Sequence, residues 1–394
     1  MSKETLRTTK SETAKSETTK SKEVQPKEKE PEKAPEGFVF ATDEEIKEKE
    51  QLIKEFEQAK QDKSIEGLRK QRDILVKLEH LAETRRKRIA REKGETILGE
   101  TFETLNLPEQ YESQKNILEK VGILETLSSG ELGIKGIDKK EYPFPKYEDI
   151  LERIEEKGEI LKTKIEQGFN QLLIVPFGMR LNDLIEKYGQ VILKHYQEGK
   201  LLATKEKPSD PDEKLELNEN TPIWIWEEYY NADTEGKLVY FPKQFSKTNH
   251  QGKTKIELLK KELCSGYNII LIEDLPNIPR KGKGKTIGNR KQIEIGQSPK
   301  EYLEMLKKDK QYLNEQGMTP EDQITYAITY LEKTNQVIDE WTTGSGFCQL
   351  NSWFSDYGCV PEAFWVCSSH RAFLGGRDPG SRDVDSGVRT AVRV

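Results

Sequence analysis

The spacing of hydrophobic and polar positions changes along the chain, and each change predicts a different kind of structure. From Thr42 the pattern is helical. Thr42-Asp43-Glu44-Glu45 has the form of a capping box, in which a hydroxyl and a carboxylate three residues apart satisfy each other's backbone amides. A helix is predicted from there toward Gly94. Leu68, Leu75, Ala82 and Ile89 recur every seven residues, with Ile65 and Leu78 filling part of the second seam position, which predicts a coiled-coil hairpin or an oligomerising stalk. From Thr96 to about Thr204 the reading stays mostly helical. Ile150, Leu151, Ile154, Ile160 and Leu161 precede the apolar run Leu172-Leu-Ile-Val-Pro-Phe177, and Leu181, Leu184, Ile185, Tyr188, Ile192 and Leu193 form a stripe after it. Residues 205 to 221 are charged and proline-containing and read as a linker or long loop.

Beyond residue 221 the period shortens. Ile223-Trp-Ile-Trp226, Leu238-Val-Tyr-Phe241 and Tyr267-Asn-Ile-Ile-Leu-Ile272 are β-branched or aromatic runs and predict strands, with a short helix from Thr254 to Cys264 between the second and the third. Ser298-Pro299 and Thr319-Pro320 each place an N-cap residue before a proline at the first helical position, and Ile324, Ile328 and Leu331 line one face of the second helix. The last 54 residues contain no lysine, three of the five tryptophans and three of the four cysteines, and predict a compact, loop-rich β terminus. The fold class expected is α+β. Its divisions are a disordered charged arm (1–40), a long helix or coiled coil (41–95), a mainly helical region (96–215) and an α+β ligand-binding region (216–394).

Composition sharpens this division. The chain has 34% hydrophobic and 34% charged residues, 64 Lys and Arg against 70 Asp and Glu for a net charge of −6, and a mean hydropathy of −0.82. Residues 1–36 hold eight Lys, one Arg and eight Glu, with Met1, Leu6, Ala14, Val24 and Ala34 as the only apolar side chains. Such a segment cannot bury enough apolar surface to offset its ordering entropy. The balanced charge argues against a dedicated nucleic-acid binder, and the basic run Arg85 to Arg91 is read as a solvated helix face. No apolar run approaches the roughly 20 residues that span a bilayer, and Met1–Glu36 lacks the apolar region of a signal peptide. A cytoplasmic location is expected, with association with a virion or a cell surface left open.

Candidate chemistry is sparse. Cys264, Cys348, Cys359 and Cys367 contain no Cys-x-x-Cys pair, and His80, His195, His250 and His370 are scattered singly, so neither a disulfide framework nor a metal or other cofactor is expected. Gly282-Lys-Gly-Lys-Thr286 resembles a phosphate loop only superficially. The glycine required five positions before Gly284 is Pro279, which has no amide hydrogen to donate. Arg280–Lys291, with six basic residues in twelve, is read as an exposed basic loop.

The C-terminal run is the most informative. Val360-Pro-Glu-Ala-Phe-Trp365, Ala372-Phe-Leu374, Pro379 and Gly387-Val-Arg-Thr-Ala-Val-Arg-Val394 interleave frame-like residues with positions of no consistent chemistry. In this pattern the chain resembles the variable proteins of diversity-generating retroelements, over about Gly344–Val394 and more loosely over Tyr267–Glu340. The resemblance implies a C-type lectin fold, related to that of the formylglycine-generating enzyme, in which error-prone copying of adenines turns Asn codons into many other residues. Carried over position by position, the diversified, ligand-binding set is Glu362, Phe364, Val366, Cys367, Ser368, Ser369, His370, Arg371, Phe373, Gly375, Gly376, Arg377, Asp378, Gly380, Ser381, Arg382, Asp383, Val384, Asp385 and Ser386. The frame is Trp365, Ala372, Leu374, Pro379, Gly387 and Arg389. Glu362 alone is a type such codons do not reach, and Gly387-Val-Arg-Thr390 stands where the family has Gly-Ala-Arg-Pro.

The resemblance thus implies a hypervariable binder of a protein or glycan ligand, without catalysis. Two rivals remain. A formylglycine-generating-type oxidase needs paired cysteines held for metal and thiol chemistry, and an oligomeric structural or fibre protein needs self-association through residues 43–94.

Overall fold

Helix α1 (Asp43–Ala59) buries Leu52 and Ala59, with Phe56 packed beside them, against Ile74 and Leu78 of α2 (66–78). These positions lie three or four residues apart on each helix, so each presents one apolar stripe. Between the helices Asp62 Oδ1 accepts the Ser64 amide at 2.9 Å, Ser64 Oγ accepts the Gly67 amide at 3.1 Å, and Gln71 Nε2 donates to the Ala59 carbonyl at 3.0 Å. This local polar turn, rather than one helix continuing toward Gly94, is a correction to the sequence reading. Of the seven-residue repeat only Leu68, Leu75 and Leu78 are described, and Leu78 joins the apolar cluster. Leu68 and Leu75 are 59% and 46% exposed and do not form the hairpin seam. Ile65, Ala82, Ile89, Thr42, the 85–91 run and the arm 1–40 lie outside the described residues, as do residues 261–265 at the end of the predicted Thr254–Cys264 helix.

The computed structural model describes residues 43–62, 64, 66–78, 102, 105–205, 207, 209–260, 266–340 and 346–394. They divide into two units, Met1–Gly94 and Glu95–Val394. The second opens with α3 (Leu107–Lys120), a three-stranded sheet of β1 (Glu125–Thr126), β2 (Leu132–Lys135) and β3 (Glu141–Pro143), then α4 (Tyr147–Glu156) and α5 (Gly158–Glu166). The run predicted inside a helical region follows as strand β4 (Phe169–Val175). Leu172 to Val175 are each 0% exposed, because both faces of this strand are covered, and a short, continuously apolar run suits such a strand better than a one-sided helix. Then come α6 (Leu181–Gln197), β5 (Ile223–Ile225), β6 (Leu238–Tyr240), α7 (Lys255–Lys260), β7 (Asn268–Glu273), β8 (Thr286–Ile287), β9 (Arg290–Lys291), α8 (Pro299–Lys308), β10 (Gln316–Gly317) and α9 (Pro320–Thr334). The chain ends with β11 (Gly346–Cys348), β12 (Ser352–Phe354), β13 (Val360–Val366), β14 (Arg371–Arg377), β15 (Ser386–Val388) and β16 (Thr390–Arg393).

Two sheets organise this unit. An antiparallel sheet runs β10-β16-β7-β4, and a mixed sheet runs β15-β11-β13-β14-β5 with parallel pairs at its two edges. The first joins a strand from the 96–215 region to strands from 216–394, so the boundary near 215 falls inside one folded body. The 205–221 segment also folds back, with the Leu215 amide donating to Leu201 at 3.0 Å. Helix α9 packs on α6, β4 and β13. Among the described residues no helix is long and apolar enough to cross a membrane.

Both proline-started helices carry the capping boxes their sequences predict, Ser298 with Glu301 and Thr319 with Asp322. Asp322 is buried, and that burial pushes its carboxyl up to about 6 from 3.8 despite hydrogen bonds from Thr319. At low pH the proton is held in both the folded and the unfolded state. Between the two values the unfolded chain releases it first, so Asp322 lowers stability progressively as pH rises to about 6, by about 3 kcal/mol for a shift of this size. Asp322→Asn should flatten that part of the urea-derived stability profile, and a carboxyl NMR titration midpoint near 4 would contradict it.

Candidate ligand-binding surface

Strands β13 and β14 form an antiparallel hairpin in which side chains alternate between two faces. The inner face carries the cross-strand pairs Ala363 with Leu374 and Trp365 with Ala372, all buried. The outer face carries Phe364 opposite Phe373 and Val366 opposite Arg371, all half-buried. In these strands, therefore, the frame positions Trp365, Ala372 and Leu374 point into the core, and Phe364, Val366, Arg371 and Phe373 point away from it.

The outer face has an aromatic spine. The Phe364 and Phe373 rings stack with centroids 4.6 Å apart, and Trp224 of β5 stacks on the far side of Phe373 at 4.4 Å and 9°. A row of three rings thus crosses three strands, each ring limiting its neighbour's motion. Trp226 continues the edge, packing edge-on against Phe354 and Tyr357. Neither tryptophan belonged to the sequence-derived site. Their signal was the alternation in Ile223-Trp-Ile-Trp226, which puts two rings on one face of a strand without revealing which strand lies beside it.

A polar cluster closes one end. Glu362 Oε2 accepts from Arg377 Nε at 2.7 Å, and Arg377 Nη1 meets Asp383 Oδ2 at 3.1 Å. Beyond it, Asp378 Oδ1 caps the Gly380 amide at 2.8 Å, and Arg382 pairs with Glu301 of α8, with its Nε 2.8 Å from Oε2. Arg382 and the Ser298 amide hold the Glu301 carboxyl down at about 2. The loop tip is open, with Val384 78% exposed. Pro379 is half-buried, and its carbonyl accepts the Lys300 amide at 2.9 Å, which ties the loop to α8. Ser368, His370, Gly380, Ser381 and Arg382 are exposed, while Cys367, Ser369 and Asp385 are intermediate.

Three of the sequence-derived positions are withdrawn from this surface. Glu362 is 7% exposed because the β11 side of the sheet lies under a second apolar cluster that includes Tyr302, Trp353 and Cys348. Burial pushes its carboxyl upward against the pull of Arg377. Gly375 lies under the Phe373 ring and passes its carbonyl to Tyr229 Oη at 3.0 Å. Ser386 is buried in β15. Gly376 is constrained in another way, since a Cβ there would lie 2.4 Å from the Trp226 ring.

The frame is held by charge as well as apolar packing. Arg389 Nη2 lies 2.6 Å from Asp339 Oδ1 and its Nε 3.2 Å from Oδ2, while its remaining hydrogens reach the carbonyls of Leu275 and Pro276. The Asp339 carbonyl accepts the Trp365 amide at 2.9 Å, so this pair fixes the strand that carries the surface. At Gly387 a Cβ would approach Ile278 to 2.9 Å, which explains a glycine in the frame. Thr390, where the resembled pattern has proline, donates to Glu315 at 2.7 Å and accepts from Arg290 at 3.2 Å. The departure thus serves a buried ion pair.

The weaker sequence candidates separate. Cys359 and Cys367 flank β13 at opposite ends, roughly 26 Å apart at about 3.3 Å per residue. Cys367 Sγ donates to Glu340 Oε1 at 3.0 Å, and burial pushes the Cys348 thiol up to about 12. These residues do not fit a paired-thiol metal site. In the glycine-lysine loop, Glu294 Oε1 accepts the Gly284 amide at 2.8 Å. Although burial opposes it, hydrogen bonds from the Gly282 and Gly284 amides keep the Glu294 carboxyl ionised below its usual range. An internal carboxylate thus holds the amides that a phosphate would need. Among the described residues no group of three His, Cys, Asp or Glu side chains is placed to hold a metal ion.

No family model, curated protein or solved structure matches the chain.

Proposed function

We propose that the chain is a diversified ligand-binding protein, displaying retroelement-mutagenised residues on a C-type-lectin-like scaffold and carrying out no catalytic step. The observation that carries the reading is the division of the hairpin into two faces. Over Phe364–Val366 and Arg371–Leu374 the residues that the resemblance marks as variable and those that it marks as frame alternate onto opposite sides of one sheet, whereas Glu362, Gly375 and Gly376 fall outside that division. A pattern taken from sequence alone had no need to obey that geometry.

The chemistry of the outer face suits recognition. Three stacked rings supply rigid contact area at small entropic cost, and Ser, Asp, Arg and Gly around them supply adaptable polar contacts, as in a paratope. A protein surface or a glycan presenting an apolar ring face would both engage it. Cys359 and Cys367, at opposite ends of β13, form no shared centre for the oxidase alternative.

Sequencing the 3′ end of the gene across a natural population, with its flanking DNA, tests the proposal. Substitutions should concentrate at Phe364, Val366, Cys367 to Arg371, Phe373, Arg377, Asp378 and Gly380 to Asp385, with a nearby template copy differing mainly at adenines. Trp365, Ala372, Leu374, Gly387 and Arg389 should be several-fold less variable, and buried Glu362, Gly375 and Ser386 should side with them. Uniformly low variation without a template copy would overturn the reading.

A further inference from the structure

Strand β5 is the last strand of the mixed sheet, and among the described residues no strand pairs with its far side. The Ala372 amide donates to Pro222 at 3.0 Å and the Trp226 amide donates to Leu374 at 2.8 Å. In this parallel register the alternate residues Pro222, Trp224 and Trp226 serve β14, while the N–H and C=O groups of Ile223 and Ile225 face away from it. No described residue takes up those four groups. An edge of this kind is a template for another strand.

Beside the edge lies a cleft of about 530 Å³ between β5 and α6. Its floor is apolar, formed by Ile185, Leu193, Ile223 and Ile225, with Gly189 at ordinary contact distance, 3.6 Å, from the Ile223 side chain. Its lining carboxylates are Asp183, Glu186 and Glu219, and among the described residues no Lys, Arg or His side chain lines it. Asp183 and Glu186 are exposed on α6. The Asp183 carboxyl is shifted upward by partial burial, with Arg180 opposing that shift.

We propose that this edge and cleft form a second binding site, which takes an extended peptide segment of a partner protein by strand addition to β5. Such a segment would pair its backbone with Ile223 and Ile225. Alternate apolar side chains would enter the cleft, and a Lys or Arg would reach Asp183, Glu186 or Glu219. The opposite face of the added strand would lie beside Trp224, extending the aromatic row. Backbone pairing gives such a site affinity, and the cleft and carboxylates give it selectivity. None of these residues belongs to the variable set, so the site stands whether or not the surface is diversified.

The test uses the full chain and a phage-displayed library of random eight-residue peptides, counter-selected on Ile225→Pro. Proline removes only an outward N–H and should block strand addition while β5 keeps its bonds to β14. Circular dichroism checks the fold. Enriched peptides should alternate apolar and polar residues and carry Lys or Arg. A labelled enriched peptide should lose at least tenfold in affinity on the exposed double substitution Asp183→Lys and Glu186→Lys, and binding should slow hydrogen exchange at the Ile223 and Ile225 amides. No enrichment over Ile225→Pro, an acidic consensus, or unchanged exchange at those two amides would overturn the proposal. If Ile225→Pro misfolds, the charge reversal and the exchange measurement decide on their own.

Discussion

Trp365→Ala is expected to destabilise the Glu95–Val394 unit by about 3–5 kcal/mol, while Phe364→Ala, one residue earlier, costs about 1 kcal/mol. The two aromatics are neighbours on one strand with opposite surroundings. Trp365 is 1% exposed and packs in the main core with Ala363, Ala372 and Leu374. Its removal leaves a cavity that the surrounding strands cannot collapse to fill. Phe364 is half-buried on the outer face, and its ring stacks on Phe373. Losing that aromatic pair costs about 0.5–1.5 kcal/mol. Urea unfolding of the two variants, each compared with the parent, reads the difference directly. The gap is also what a display surface requires, because outer positions can then change identity without unfolding the frame. Equal losses would mean that both faces are core, and the proposed surface would fail with them.

How much of this was legible in the sequence depends on how local each signal is. The capping boxes at Ser298 and Thr319 were legible because a cap is settled by four consecutive residues. The α+β class followed from periodicity, while the resemblance marked Trp365, Ala372 and Leu374 as frame without saying which face of which strand would carry them. The run at Leu172 carried no element of its own within a mainly helical region, because an apolar segment buried on both faces has no period to separate strand from helix, and only the pairing of β4 with β7 decides it. A hairpin was one of the two arrangements expected of residues 43–94, but its packed residues were not legible, because a repeat of seven shows which residues share a stripe, and not which stripe meets another helix. Packing chose Leu52, Ala59 and Ile74 and left Leu68 exposed. Trp224 and Asp339 were invisible as parts of the surface, since each reaches it across more than 25 residues of chain through a neighbouring strand or bridge.

Asp339 supplies the other large effect. Asp339→Ala should cost about 3–5 kcal/mol, since it leaves the Arg389 guanidinium buried without its carboxylate. Arg389 would keep the Leu275 and Pro276 carbonyls, but carbonyls do not neutralise a charge in a site where the arginine is 8% exposed. The loss should also be felt at the surface. Asp339 sits in the left-handed region at φ 51°, and its own carbonyl holds the Trp365 amide, so the segment that β13 leans on loses its anchor. Hydrogen exchange at Trp365 should therefore accelerate in Asp339→Ala beyond what the global loss explains. A double-mutant cycle with Arg389→Met separates the pair from its surroundings. Replacing both partners removes the orphaned charge, so the double variant should be more stable than Asp339→Ala. A double variant that loses the sum of the two single losses would show no coupling, and the frame would then rest on apolar packing around Trp365 instead of on this ion pair.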